Sequence, residues 1–140
     1  MHENGAQKVV VISGGAGYVG SAIARRLEQD GFIVAALYRT EEPQSGHPYR
    51  CDLRDPAQVA STLDSIERDL GPLYASIHAA GSLPVPKPLH QLDTDTLRGQ
   101  FEADVYPGFS FLSECARRLM GHGAGVLVGI TTAGVVAEKN

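Results

Sequence analysis

Cysteine is scarce in this chain: its 140 residues hold two, Cys51 and Cys115, too far apart to form a CxxC pair. That spacing speaks against a zinc or redox dithiol site, and both read as reduced thiols of a cytoplasmic protein. Basic runs are absent too. The formal net charge is −4, which gives no support to nucleic-acid binding. No apolar stretch is long enough to span a bilayer, so no membrane partner is expected. Met1–Gln7 is polar and lacks the charged-then-apolar order of a signal peptide, and reads as a flexible leader. No internal repeat or low-complexity segment is found. With 43% hydrophobic residues, the remainder can form one domain with a real core.

What is present in force is glycine, concentrated where it matters. Ser13-Gly14-Gly15-Ala16-Gly17-Tyr18-Val19-Gly20 follows an apolar run, Val9–Ile12, and opens onto a helical pattern beginning Ser21-Ala22-Ile23-Ala24. A strand turning through glycines into a helix can hold a pyrophosphate. The glycines allow a tight turn and close backbone approach, and the helix N-terminus supplies unpaired N–H groups and positive dipole. The loop therefore points to a dinucleotide cofactor.

Along the chain, apolar β-rich runs alternate with helical patterns. Strands are expected at Lys8–Ile12, Phe32–Tyr38, Tyr49–Leu53, Leu73–Ile77 and Val126–Ile130. A first helix is expected from about Tyr18 to Asp30, with Val19, Ile23 and Leu27 on one face and Gly31 as its C-cap glycine. Asp55-Pro56 reads as the N-cap and first residue of a second helix, whose stripe Val59, Leu63, Ile66 and Leu70 stops at Gly71-Pro72. Arg39–Pro48 and Gly81–Pro88 read as loops. A helical region from about Asp93 to Met120 is expected to break near Pro107-Gly108. This βαβαβαβαβ order implies an α/β fold: a Rossmann-like doubly wound parallel sheet with helices on both faces, ligands binding beyond the strands' carboxyl ends.

Gly14, Gly17 and Gly20 are spaced three apart, unlike G-x-G-x-x-G. The stretch Gly14–Gly20 resembles the loop of the short-chain dehydrogenase/reductase superfamily, and with Tyr18 it looks most like the extended and atypical branches. The resemblance implies that Gly14, Gly15, Gly17, Tyr18, Val19 and Gly20 form the pyrophosphate loop. It implies that Asp52 and Leu53, at the end of the third strand, hold the adenine. Ala79, Ala80 and Gly81, within His78-Ala79-Ala80-Gly81, would form the ribose side, and His78 reads as a hydrogen-bonded structural residue. In Val126–Gly134, Thr132 falls on the superfamily's catalytic serine, with Thr131 a weaker candidate. Activity on a small carbonyl or alcohol substrate is implied, as is a homo-oligomer (dimer or tetramer) at full length, with the Asp93–Met120 region contributing one interface helix.

Cofactor choice is read at the end of the second strand. An Asp or Glu there would hold a 2′-hydroxyl and repel a 2′-phosphate; this chain has Arg39, whose paired donors suit the phosphate. NADP(H) is therefore favoured over NAD(H), although Glu41 and Glu42 lie close by.

Two departures from the superfamily pattern stand out. Its structural asparagine in the helical region falls here on Asp104 or Val105. Its proton-donating Tyr, with a Lys four residues on, has no counterpart within residues 1–140; neither Tyr74 nor Tyr106 is followed by such a Lys. Residues 8–140 are therefore expected to be an NAD(P)-binding domain incomplete at its C-terminus and inactive by itself, with an exposed apolar edge at the fifth strand. Two rival readings stand beside the reductase: a nucleotide-sugar epimerase or dehydratase with tightly held NAD, and a non-catalytic NADP(H)-binding regulatory protein.

Overall fold

A computed structural model describes residues 7–82 and 87–131. Five strands form one sheet: β1 (Val9–Ser13), β2 (Ile33–Tyr38), β3 (His47–Arg50), β4 (Leu73–His78) and β5 (Val126–Gly129). All neighbouring strands are parallel, in the order β3-β2-β1-β4-β5. Every residue of β1 is buried, as suits a central strand covered on both faces. Its side chains alternate between two cores. Val9 and Val11 join a cluster with Leu37, Leu63, Ile66 and Phe111; Val10 and Ile12 join one with Ala24, Val34 and Ala75.

The second cluster lies under α1 (Tyr18–Gln29), and the first under α2 (Pro56–Leu70) and α4 (Tyr106–Gly121). The expected stripe on α1 is corrected at one position. Gly20 and Ala24 are its buried residues, flanked by Ile23 and Leu27, while Val19 is exposed. Small side chains on this face let the helix sit close to the sheet. The second helix follows the pattern read for it: the Asp55 carboxylate accepts from the Ala57 and Gln58 amides, Pro56 stands in the first turn, and Val59, Leu63 and Ile66 are buried.

Two expected boundaries move. The third strand lies at His47–Arg50, not Tyr49–Leu53, so Asp52 and Leu53 fall in the turn after it. Pro48, expected to be loop, pairs with Ala36. This is possible because β3 is the sheet's edge strand, where a missing N–H can face away from the ladder. Nor does the helical region break at Pro107. It runs from α3 (Thr94–Gln100) through a π-helical turn, Phe101–Val105, straight into α4, with Pro107 in the opening turn of α4. The irregularity thus precedes the proline, which lacks the N–H that regular winding would need there.

Helices α2 and α4 are clamped by Arg118, whose guanidinium reaches Asp64 (2.8 Å), Glu67 (2.9 Å) and Glu114 (3.1 Å). At the other sheet edge, the residues of β5 are all exposed, and among the described residues β5 pairs with β4 alone.

Candidate functional site

A cleft of about 420 Å³ opens beyond the carboxyl ends of the central strands. Chain order reverses at β1: α1, which follows β1, and α4, which follows β4 in the chain, cover opposite faces, and such a reversal is where an open parallel sheet forms a crevice. Its walls come from five segments: Gly14 and Gly17, Tyr38–Thr40, Cys51–Arg54, His78–Ser82, and Ala103, Asp104 and Pro107.

The glycine loop forms the floor. Gly14 has φ +71°, and a Cβ there would lie 2.7 Å from the Ala80 Cα, so the loop and the β4-end wall touch. Its carbonyl accepts from the Gly17 amide at 3.0 Å, closing the turn. Gly17 is the N-cap of α1 and offers no side-chain cap; no acidic residue occupies the first turn. The opening N–H groups of α1 are thus left available, with the positive end of the helix dipole behind them. Tyr18, 94% exposed, and Val19 point outward from that turn. Gly15 packs behind the loop against Ala36, and Gly20 packs against Gly14.

On the β2 side, Arg39 and Thr40 line the rim. Asp52 faces the same rim but is already engaged. Arg54 donates to it from its backbone N–H (3.0 Å), from Nε (2.9 Å) and from Nη2 (2.6 Å). These hydrogen bonds pull the Asp52 carboxyl down to about 2, with the Arg39 charge a smaller influence in the same direction. Asp52 is therefore held as a carboxylate chiefly by Arg54. Leu53 is partly buried against the first core cluster, and the buried Cys51 has its thiol pushed up mainly by desolvation.

On the β4 side, Ser13 joins the two walls. Its hydroxyl accepts from the Ala79 (3.2 Å) and Ala80 (3.4 Å) amides and lies 2.7 Å from His78 Nδ1. Further along, Asp104 on the π-turn accepts from the Ser82 N–H (2.6 Å), the Ser82 hydroxyl (2.8 Å) and Gln100 Nε2 (2.7 Å). Burial opposes its charge, but those hydrogen bonds outweigh it and the carboxyl is held below its ordinary value. Where the superfamily pattern has an asparagine, this chain thus places a carboxylate that anchors Gly81-Ser82; Val105 is exposed.

The cleft lining thus brings together Gly14, Gly17, Arg39, Asp52, Leu53, Ala79, Ala80 and Gly81. Thr131 is exposed, and Thr132 lies outside the described residues. The sequence reading gave no role to Ser13, Arg54, Ser82 or Gln100. A polar residue closing the buried strand Val9–Ser13 was the available signal for Ser13; the others act through partners that only the fold brings close. Among the described residues no group of His, Cys, Asp and Glu side chains could hold a metal ion, and no helix is long and apolar enough to cross a membrane.

A doubly wound sheet, a glycine turn into an uncapped helix and a crevice at the point of strand reversal define a dinucleotide-binding fold. The family model for enoyl-(acyl carrier protein) reductase matches residues 15–140, and the chain belongs to that family, within the short-chain dehydrogenase/reductase superfamily. It is 28% identical over 142 residues to 2,3-dihydro-2,3-dihydroxybenzoate dehydrogenase of Bacillus subtilis (strain 168), covering 91% of this chain and 54% of that protein. It is 29% identical over 153 residues to cis-4-hydroxycyclohexanecarboxylate dehydrogenase of Sinomonas cyclohexanicum, covering all of this chain and 61% of that one. Among solved structures, NAD+-bound xylitol dehydrogenase superposes with a TM-score of 0.82 at 24% identity, over 95% of this chain and 56% of that one. Actinorhodin polyketide ketoreductase with NADPH also gives 0.82, at 20% identity, with the same coverage of 95% and 56%. These two likenesses are of fold. The chain spans between half and two thirds of the length of the proteins it matches.

Proposed function

We propose that residues 8–140 are the cofactor-binding part of an NADP(H)-dependent oxidoreductase acting on a small alcohol or carbonyl compound. The observation that carries the reading is the cleft itself, where the Gly14 turn, the uncapped start of α1 and Arg39 share one crevice. A dinucleotide fits the residues present. Side chains that would fill the floor are absent at Gly14 and Gly17, and free N–H groups await a pyrophosphate. Ala79–Gly81 would flank the ribose, Asp52 and Leu53 the adenine, and Arg39 a 2′-phosphate. When bound, the nicotinamide supplies the hydride chemistry.

This chain's own part is to bind and orient. Thr132, with Thr131 beside it, is assigned to the substrate oxygen on the superfamily resemblance. Proton delivery to that oxygen needs a general acid, and the Tyr–Lys pair implied by the resemblance is not among residues 1–140. Both relatives named above are dehydrogenases by name, which supports oxidoreductase chemistry over a purely regulatory role. A homo-oligomer is proposed through the helical region, where Phe101, Tyr106 and Phe109 are exposed. The buried, unpaired thiols of Cys51 and Cys115 suit the cytoplasm.

Titration of the protein with NADPH and with NADH, followed by nucleotide fluorescence, tests the reading. NADPH is expected to bind more tightly. Equal or tighter binding of NADH would overturn the assignment of Arg39, and no binding of either would overturn the cofactor reading.

A further inference from the structure

Ser13 Oγ carries one proton, and its surroundings decide where that proton goes. The Ala79 and Ala80 amides can only donate, so they occupy the acceptor side of the hydroxyl. The remaining neighbour, His78 Nδ1 at 2.7 Å, must then accept the Ser13 proton. Nδ1 is therefore the bare nitrogen, and the neutral ring carries its hydrogen on Nε2. Ser13 is fully buried, so water cannot replace either partner.

The ring has little freedom to adopt another arrangement. It lies against Phe111, with ring centroids 5.8 Å apart, and a Cβ on Gly108 would be 2.9 Å from Nε2. Burial holds the ring's titration below its usual value, while Asp104, on the π-turn, pulls the other way. From α4, Phe111 and Gly108 bring no charge; from β1, Ser13 brings its hydroxyl.

We propose that His78 is a positioning residue for the dinucleotide cleft, acting through Ser13: beside the backbone bond from the Ala79 N–H to the Ser13 carbonyl (3.2 Å), the ring as a neutral acceptor locks the hydroxyl that extends this tie to Ala80, and protonation of the ring releases that extension. A second proton would sit on Nδ1 and turn the acceptor into a donor facing a hydroxyl whose own proton then has no partner. The Gly14 turn and the Ala80 backbone share one van der Waals boundary, so the two walls shift together. Cofactor affinity is thereby coupled to proton uptake at His78, falling as pH drops below the ring's titration.

The inference rests on the cofactor reading, and two measurements separate their failures. The first is calorimetric titration with NADP+ from about pH 7.5 to about pH 5 on the native protein, His78→Asn and His78→Phe. The Asn carboxamide oxygen can accept from Ser13 yet does not titrate. His78→Asn is expected to bind within about twofold of the native protein at neutral pH and to lose the native fall in affinity at acid pH. Using one nucleotide throughout cancels its own titration. His78→Phe is expected to bind weakly at every pH. Superimposable pH profiles for the native protein and His78→Asn would overturn the proposal; absence of native binding at neutral pH would overturn the cofactor reading instead. The second measurement needs no cofactor. Nitrogen NMR of the native ring should show hydrogen on Nε2 at neutral pH, and exchange of the Ala80 amide, which bonds the Ser13 hydroxyl, should quicken as the ring protonates. Hydrogen on Nδ1 at neutral pH, or amide exchange indifferent to the ring's titration, would overturn the role assigned to His78.

Discussion

A Cβ added to Gly20 would lie 2.8 Å from the carbonyl carbon of Gly14. The first turn of α1 therefore rests directly on the loop it follows. Both atoms are backbone-bound, so neither can swing aside. Gly20→Ala is expected to destabilise the protein by about 1–3 kcal/mol, the usual cost of overpacking, and to abolish nucleotide binding. Thermal unfolding of the variant should show a midpoint several degrees lower; an unchanged midpoint with intact binding would contradict the close packing.

Arg39, on the cleft rim at the β2 end, is the proposed anchor of a 2′-phosphate. A charge-assisted hydrogen bond contributes about 1.5–3 kcal/mol, so Arg39→Ala should weaken NADPH binding by about tenfold to a hundredfold. NADH binding should change little. An equal loss for both nucleotides would assign Arg39 to the shared part of the molecule.

Asp52 offers a test that needs no ligand. Its carboxyl is lowered from 3.8 to about 2 by hydrogen bonds from Arg54. A depressed carboxylate stabilises the fold above its unfolded-state value, and that contribution is lost as pH falls toward 2. Carbon NMR of the Asp52 side chain should place its midpoint near 2 in the native protein and closer to 3.8 in Arg54→Ala. An Asp52 midpoint insensitive to Arg54 would show that the pair does not persist in solution.

Cys115 should be chemically silent. It is completely buried between α4 and the sheet, and desolvation raises its thiol from 9.0 to about 12. The native state therefore holds this proton where the unfolded chain releases it, so stability from this group is present below pH 9 and declines as pH rises beyond it. A thiol reagent at neutral pH should label Cys115 only as fast as the protein unfolds. Rapid labelling of Cys115 in the native protein would contradict the packing of α4.

Much of the fold was legible because its signals are local. The apolar run Val9–Ile12, the Asp55-Pro56 start and the stripe Val59, Leu63, Ile66 each announce an element through neighbours a few residues away. The third strand was misplaced because Pro48 reads as a breaker, and only the strand order shows that it lies at an edge. In the helical region, Pro107 was the visible irregularity, whereas the winding changes one turn earlier. The cleft was legible in outline through Gly14 and Arg39. Its internal fastening was not: Ser13 meets His78 across 65 residues, and Ser82 meets Asp104 across 22. Those pairings depend on sheet register and helix phase, which no local pattern reports.

The π-turn at Phe101–Val105 makes chain length a determinant of the site. A π-turn takes up one residue more than regular α-winding. The widened turn absorbs that residue, so a deletion within Phe101–Val105 would close the turn and leave α3 in phase with α4, whereas a deletion in the regular winding between Val105 and Phe111 would turn everything before it by about 100°. Phe111, Cys115 and Leu119 hold α4 in the core, so that rotation would fall on the half carrying Gln100 and Asp104. Both would swing off Ser82 with every functional residue still in the chain. One missing residue there would act like several simultaneous point mutations, while the π-turn is the place where the helix can give one up.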